Sequence, residues 1–328
     1  SKVYKYHMKI LAIQNRMGIG DTVIFLPFIE ALYKKFNSPI SLLVKESSKA
    51  DQYLFQTNYI DKILILERDK NNNNNRHSGF LGSFNLIKDL KKYNFDKIFI
   101  FNSSLRFNLI ARLSNIPDIY QYPLFNKNKQ HIIDTPRKFI KDKLNIDIND
   151  DPNIQISNEL ILGTIKRFQI DKSELNILMG IGGSGPTKRI PSKTFLEVID
   201  KTLKIKKCKF FLATGKNNEE QIILKEILDT KYRNFCVPLD NFSIKETLPI
   251  IKCCNLSICN DSSFSHLSAA LGIKTITLMA DTPLIYGNYN SNMFPIIPDG
   301  EDTVGHNTKG KEKINPKKIF DKLIEIYN

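Results

Sequence analysis

From Leu256 to Leu278 the chain reads strand, polar turn, short helix, glycine, strand, and few folds accept that order. Leu256-Ser257-Ile258-Cys259 is short and apolar enough for a buried strand, and Ile273–Leu278 is a second one rich in β-branched residues. Asp261, Ser262 and Ser263 are all good helix N-caps, Leu267, Ala270 and Leu271 make a helical apolar stripe, and Gly272 supplies the stop. The result is a βαβ unit. Its turn aims backbone N–H groups and a positive helix end beyond the strand's carboxyl edge, where anions bind readily. The same stretch also reads as no more than a capped helix with a histidine in the core.

The alternation recurs along the whole chain. Met8–Ile13 opens as a strand, Gln14–Gly20 is a loop, and Asp21-Thr22 starts a helix with Ile24, Phe25, Phe28, Ala31, Leu32 and Phe36 on its apolar side. Strands at Ile40–Val44, Lys62–Leu66 and Lys97–Phe101 interleave with helices at Ser48–Phe55, Ser83–Lys92 and Leu105–Ser114. Asp69–Ser78, with its five consecutive asparagines, is expected to be a mobile loop, and Gln121–Thr135 a flexible segment. A boundary is expected in Asn145–Asn158. The pattern then restarts with strands at Leu175–Met179, Lys209–Ala213 and near Phe235–Pro238, and helices at Ser192–Leu203, Asn218–Leu228 and Ser243–Lys252. Asn315-Pro316 caps a last amphipathic helix. Parallel strands with right-handed crossovers in two doubly wound α/β sheets follow.

The 328 residues suit two domains better than one core. No apolar run approaches the ~18 residues a membrane span needs, and Ser1–His7, without a secretory apolar segment, is expected to be a polar leader. Five cysteines without a Cys-x-x-Cys suggest reduced core thiols rather than a zinc site. Residues 1–150 carry 24 Lys+Arg against 14 Asp+Glu, a net +10, while residues 151–328 carry 24 against 20, a net +4. The first half is therefore the surface expected to meet an anionic partner: a phosphorylated glycolipid, a membrane face or nucleic acid. No RNP-like run, basic heptad helix or zinc finger supports nucleic acid.

Two further motifs carry chemistry. Gly18-Ile19-Gly20-Asp21 follows the first strand as a dinucleotide fingerprint would, with Glu46 after the second strand. Position 23 is Val, however, so the close helix–strand approach is missing. Asp21 reads either as a positioned carboxylate or as a helix cap. Gly182-Gly183-Ser184-Gly185-Pro186-Thr187-Lys188-Arg189 offers glycines that let N–H groups approach an anion, with two cations beside them. Its spacing is not that of a Walker A loop, and a plain surface turn with a solvated basic pair is the alternative.

Together these runs resemble the heptosyltransferases, glycosyltransferase family 9. Asn260-Asp261-Ser262-Ser263-Phe264-Ser265-His266-Leu267-Ser268-Ala269-Ala270-Leu271-Gly272 is similar to the family's Asp-Thr/Ser-Gly-x-x-His-Leu-Ala/Thr-Ala-Ala-Leu-Gly, with Ser263 in place of its glycine. Gly20-Asp21 followed by an apolar helix with an early Pro27 matches well. Residues 181–191 resemble the family's Pro-Gly-Ser/Ala-x-x-Pro-x-Lys-Arg-Trp-Pro run, with Ile181 and Ile190 as departures. Of the run that follows the donor signature in the family, only Thr282 is kept of the last three residues.

The resemblance implies the GT-B architecture, two Rossmann-like doubly wound domains facing a central cleft. Residues 1–155 would bind the acceptor, with the Gly18 and Gly20 loop on that side, and residues 156–312 the nucleotide-sugar donor. Residues 313–328 form a terminal helix expected to pack back on the N-terminal domain. The implied activity is an inverting, metal-independent transfer of a heptose or related sugar from a nucleoside diphosphate, ADP foremost, to a lipopolysaccharide-core or other saccharide acceptor. Such a transfer needs one carboxylate to take the acceptor hydroxyl's proton. The resemblance gives that role to Asp21, and gives Lys188 and the helix start at 262–264 the leaving diphosphate. Ser184, Thr187, Asp261, Ser262, Ser263 and His266 complete the implied donor site. Asn217 or Glu219 stands where the family often has an acid for the donor ribose, and both also read as helix-start residues. No cofactor and no metal are implied, and the chain has no Asp-x-Asp motif. The implied partners are the donor and an anionic glycolipid or saccharide, not nucleic acid, in a cytoplasmic protein with peripheral contact at the inner membrane face. A non-catalytic sugar-nucleotide or glycan-binding module is the alternative that the three departures favour.

Overall fold

A computed structural model describes residues 7–16, 18–68, 75–125 and 130–328. The chain divides into two compact units, Ser1–Pro152 and Asn153–Asn328. The first contains strands β1 (Ile10–Ile13), β2 (Ile40–Lys45), β3 (Ile60–Leu66), β4 (Lys97–Ile100) and β5 (Asp118–Gln121). Around them lie helices α1 (Ile19–Phe36), α2 (Gly79–Lys91), α3 (Leu105–Leu113) and α4 (Asp134–Leu144). Every pairing is parallel, in the order β3-β2-β1-β4-β5, with Ile10 of β1 in register with Ile40 on one side and Lys97 on the other. The central strand is buried at all four residues, as a strand covered on both faces must be.

The second unit runs α5 (Asn158–Phe168), β6 (Leu175–Gly180), α6 (Ser192–Leu203), β7 (Cys208–Ala213), α7 (Asn218–Leu228), β8 (Cys236–Pro238) and α8 (Ile244–Cys253). It continues with β9 (Leu256–Asn260), α9 (Ser263–Ala270), β10 (Thr275–Leu278), β11 (Met293–Ile296) and α10 (Pro316–Tyr327). Its six strands are again all parallel, in the order β11-β10-β9-β6-β7-β8. All five cysteines are free. Burial pushes the Cys208 and Cys236 thiols up to about 11 and Cys259 up to about 12, as suits inert core thiols.

Several expectations need correction. The last helix packs into the second unit: Ile319 and Leu323 are fully buried in its core with Phe195 and Val198 of α6. In place of a helix over Ser48–Phe55 there are two 3₁₀ turns, Glu46–Ser48 and Ala50–Gln52, because Lys49 between them turns left-handed at φ 48°. Of the expected mobile loop, 69–74 lies outside the described residues, but Asn75–Ser78 is pinned. His77 is buried, its Nδ1 accepts from the Glu67 N–H at 3.0 Å, and Arg76 holds Asp89 through two hydrogen bonds. Likewise 126–129 lies outside the described residues. Around it the segment is ordered: Tyr122 is buried, Gln130 donates to Ser103 at 3.0 Å, and α4 begins at Asp134. Helix α1 starts at Ile19, two residues before the expected position. Among the described residues no helix is long and apolar enough to cross a membrane.

Because Leu323 fills the second core, Leu323→Ala should destabilise that unit by about 2–5 kcal/mol in urea unfolding. A loss under ~0.5 kcal/mol, the size usual for surface substitutions, would put the helix off the core.

Candidate active site

In each sheet the chain reverses direction of growth at the centre, and ligands bind beyond the strand ends at such a switch point. The second sheet switches between β6, whose crossover leads through α6 to β7, and β9, whose crossover leads through α9 to β10. The glycine-rich run leaves β6 there and the 261–263 turn leaves β9. Both motifs singled out in this half thus meet at one edge.

Asn260 joins them. Its side chain is fully buried, and Nδ2 donates to the carbonyls of Ile181 and Gly182, both at 3.1 Å. Gly182 has no room for a side chain: a Cβ would sit 2.3 Å from Glu220 Oε1 and 2.7 Å from Thr214 Oγ1. Gly183 follows with φ 155° and is held from both sides. Its N–H donates to Glu220 Oε1 at 2.7 Å, and its carbonyl accepts from Arg189 Nε at 2.7 Å. That N–H, expected to face an anion, is therefore already taken. Arg189, buried, also pairs with Glu219. It is a strut inside the loop, while Lys188 is the cation left at the edge.

Lys188 ends a 3₁₀ turn, Pro186–Lys188, and its Nζ lies 3.7 Å from Asp261 Oδ2. This is beyond hydrogen-bond length, so the ammonium keeps its donors for another acceptor. Asp261 is buried, accepts from the Thr282 hydroxyl, and has His266 Nε2 4.0 Å from Oδ1. His266, also buried, is hydrogen-bonded through Nδ1 to the Tyr289 hydroxyl at 2.7 Å and stacks on that ring. Burial lowers the pKa of its imidazole, against the opposing pull of Asp261 and with the repulsion of Lys188 added, so it is neutral at physiological pH. Ser262 is the extended N-cap of α9, and no side chain caps the helix. Gly272 ends it at φ 81° as expected. Three buried polar atoms at the carboxyl ends of β7 and β9 have no partner among the described residues: Thr214 Oγ1, Asn260 Oδ1 and Ser262 Oγ. Such atoms are rare in folded proteins, and together they fit an edge built for a polar ligand.

The remaining expected residues are placed differently. Ser184 is exposed at the loop tip, and Thr187 hydrogen-bonds Asp281. Asn217 is the N-cap of α7, its Oδ1 accepting from the Glu220 N–H at 2.8 Å. Its helix-start role is the one observed. Ser263 is the first residue of α9.

The first sheet switches between β1 and β4. Gly18, at φ 94°, turns the chain into α1, and Asp21 is the third residue of that helix. Asp21 does not cap it: no side chain does. Half-buried, its carboxyl is raised above the usual range by burial, with Arg16 pulling the other way. Across the switch point Asn102 Nδ2 donates to Asn15 Oδ1 at 3.2 Å, tying the two loops together. Gly20 is the second helical residue.

Glu220 and Tyr289 escaped attention in the sequence as parts of the site, Asn260 and Thr282 stood in quoted motifs without a role, and Arg189, read as a cation for an anion, is instead tied to Glu219 and the Gly183 carbonyl. Glu220 had one available signal, its place three residues after a good N-cap. Tyr289 had none, since its contact spans 23 residues.

A family model described as glycosyltransferase family 9 (heptosyltransferase) matches residues 83–294. Among curated proteins, lipopolysaccharide heptosyltransferase 1 of Campylobacter coli is 25% identical over 345 residues, covering 93% of each chain. Lipooligosaccharide heptosyltransferase 2 of Campylobacter jejuni is 27% identical over 281 residues, covering 80% of this chain and 78% of that one. Among solved structures, a family 9 glycosyl transferase from Veillonella parvula superposes with a TM-score of 0.77 at 19% identity, covering 98% of this chain and 97% of that one. The E. coli heptosyltransferase WaaC with ADP gives 0.71 at 14% identity, covering 97% and 100%. The GT-B fold of these structures is the fold of this chain.

A carboxylate whose pKa is raised on folding binds its proton more tightly in the folded state. It opposes stability once pH rises through the window just above the ordinary carboxylate value of about 4. Asp21→Asn should therefore raise Tm at pH 7.5 and flatten the decline of stability above about pH 4. A lower Tm at pH 7.5 for the variant, the result for a helix-stabilising acid, would contradict this reading of Asp21.

Proposed function

The chain belongs to glycosyltransferase family 9, the heptosyltransferases, and from that premise we propose that it transfers a heptose, or a related sugar, from ADP. The acceptor is a lipopolysaccharide-core or similar saccharide hydroxyl, the anomeric centre inverts, and no metal ion takes part. The observation that carries this is the second unit's strand-end edge, where Lys188 sits beside the uncapped start of α9 and three partnerless buried polar atoms. ADP is preferred because an E. coli relative of the same fold is a structure with ADP.

In this mechanism the acceptor oxygen attacks the anomeric carbon opposite the diphosphate while Asp21 takes its proton. The bond from carbon to the phosphate oxygen breaks, and its electron pair leaves on ADP. Negative charge grows on the diphosphate, and the Lys188 ammonium with the N–H groups at 262–264 offsets it, the task a divalent cation performs elsewhere. Asp261 and neutral His266 hold donor hydroxyls or phosphate oxygens. The raised pKa of Asp21 makes it a better base than a solvated aspartate. The departures at Ile181 and Ile190 do not weaken the case, since both side chains are fully buried in the second core.

ADP release from ADP-heptose, measured with and without a delipidated core acceptor, tests the proposal. Wild type should release ADP only with acceptor present, with or without a chelator. Lys188→Ala should slow release by about 10²–10³, as loss of one charge-stabilising donor does, and Asp21→Ala should abolish it. Donor binding without release under any acceptor would instead make this a sugar-nucleotide-binding module.

A further inference from the structure

Helices α2 and α3 pack side by side over the first sheet, and their outer face is apolar. Phe80, Leu81, Phe84, Leu105, Leu109 and Leu113 are each 50–79% exposed. Single exposed leucines need no explanation, but a contiguous set of large side chains on two neighbouring helices marks an interaction site. Leu105, Leu109 and Leu113 recur every fourth residue as one stripe along α3, opposite the edge-to-face pair Phe80 and Phe84 on α2. Between the stripes runs a groove of about 600 Å³.

The charges around it are of one sign. Arg68 and Arg106 line the groove, and among the described residues no carboxylate does. Arg106 is fixed in place, Nε donating to Ser83 Oγ at 2.7 Å and Nη2 to the carbonyls of His77 and Gly79. The two helices add Lys88, Lys91 and Arg112, all exposed, and contain a single acid, Asp89, already held by Arg76 and His77. Glu67, next to Arg68 in sequence, acts on Arg76.

From this we infer that the α2–α3 face docks the protein on an anionic lipid bilayer. A bilayer offers hydrocarbon for the six apolar side chains and negative headgroups for the arginines at their margin. A second copy meeting this face across a two-fold axis would set the arginine-bearing groove against itself. The face also borders the first switch point, since α3 starts three residues after Asn102, the partner of Asn15. The inference rests on exposure and charge, and holds or fails independently of the transfer reaction.

Sedimentation of the full chain with vesicles tests it, using phosphatidylcholine alone or with roughly 30% phosphatidylglycerol. Wild type should bind the anionic vesicles, scarcely bind the neutral ones, and be released by salt. Phe84→Ser with Leu109→Ser should weaken binding by at least about tenfold, and Arg68→Gln by about fivefold. Tm should be unchanged in both variants, because these side chains are exposed. Absence of binding to anionic vesicles, or equal binding by all variants, would overturn the inference. So would a dimer in sedimentation velocity that Phe84→Ser dissociates, which would assign the face to a second copy.

Discussion

One buried carboxamide holds the candidate donor edge together. Two strands that lie side by side in a parallel sheet send their loops to the same edge, but the loops have no backbone ladder to fix them. Asn260 supplies the link, giving both protons of its amide to the carbonyls of Ile181 and Gly182. The rest follows from that placement. Gly182 must lack a side chain because Glu220 and Thr214 fill the space beneath it, and Gly183 is clamped between Glu220 and Arg189. Lys188 is then delivered to Asp261, and Asp261 to His266. Each of these contacts depends on fixing where the glycine run leaves β6.

The first unit solves the same problem with less. Its switch point is bridged by Asn102 and Asn15, and the helix that starts there carries a half-buried carboxylate that folding does not favour. Asp21 is neither a cap nor part of an ion pair among the described contacts that fix the fold. Groups kept in such surroundings are commonly kept for chemistry. Asp21 and Lys188 thus lie at equivalent topological positions, each just beyond the switch point of its own sheet.

Much of this was legible before any coordinates. Helices Ser192–Leu203 and Asn218–Leu228 have the bounds their apolar periodicity predicts, because both bury one clear stripe between good start and stop signals. Helices α4 and α5 left weak traces: α4 buries only Pro136, Phe139 and Ile140, and α5 only Thr164. Strand β5 is partly exposed at the sheet edge and β11 contains a proline, so neither reads as an apolar strand. Within the site, Lys188, Asp261 and His266 were readable because each sits in a local motif. Glu220 left only its place behind an N-cap and Tyr289 left nothing, because a contact between elements leaves no mark in the spacing of either one. Ile181 and Ile190 looked like losses in a binding motif, yet both are core positions.

The central claim is that Asn260 preorganises the edge that receives the donor's diphosphate. Calorimetric titration of ADP into the wild-type protein and Asn260→Ala tests it most directly. The account predicts a defined ADP site in wild type and, in the variant, binding weakened by at least about tenfold, the equivalent of the 1.4 kcal/mol within reach of one lost buried hydrogen-bond pair. Equal affinity in a variant that remains folded would mean that the nucleotide does not use this edge.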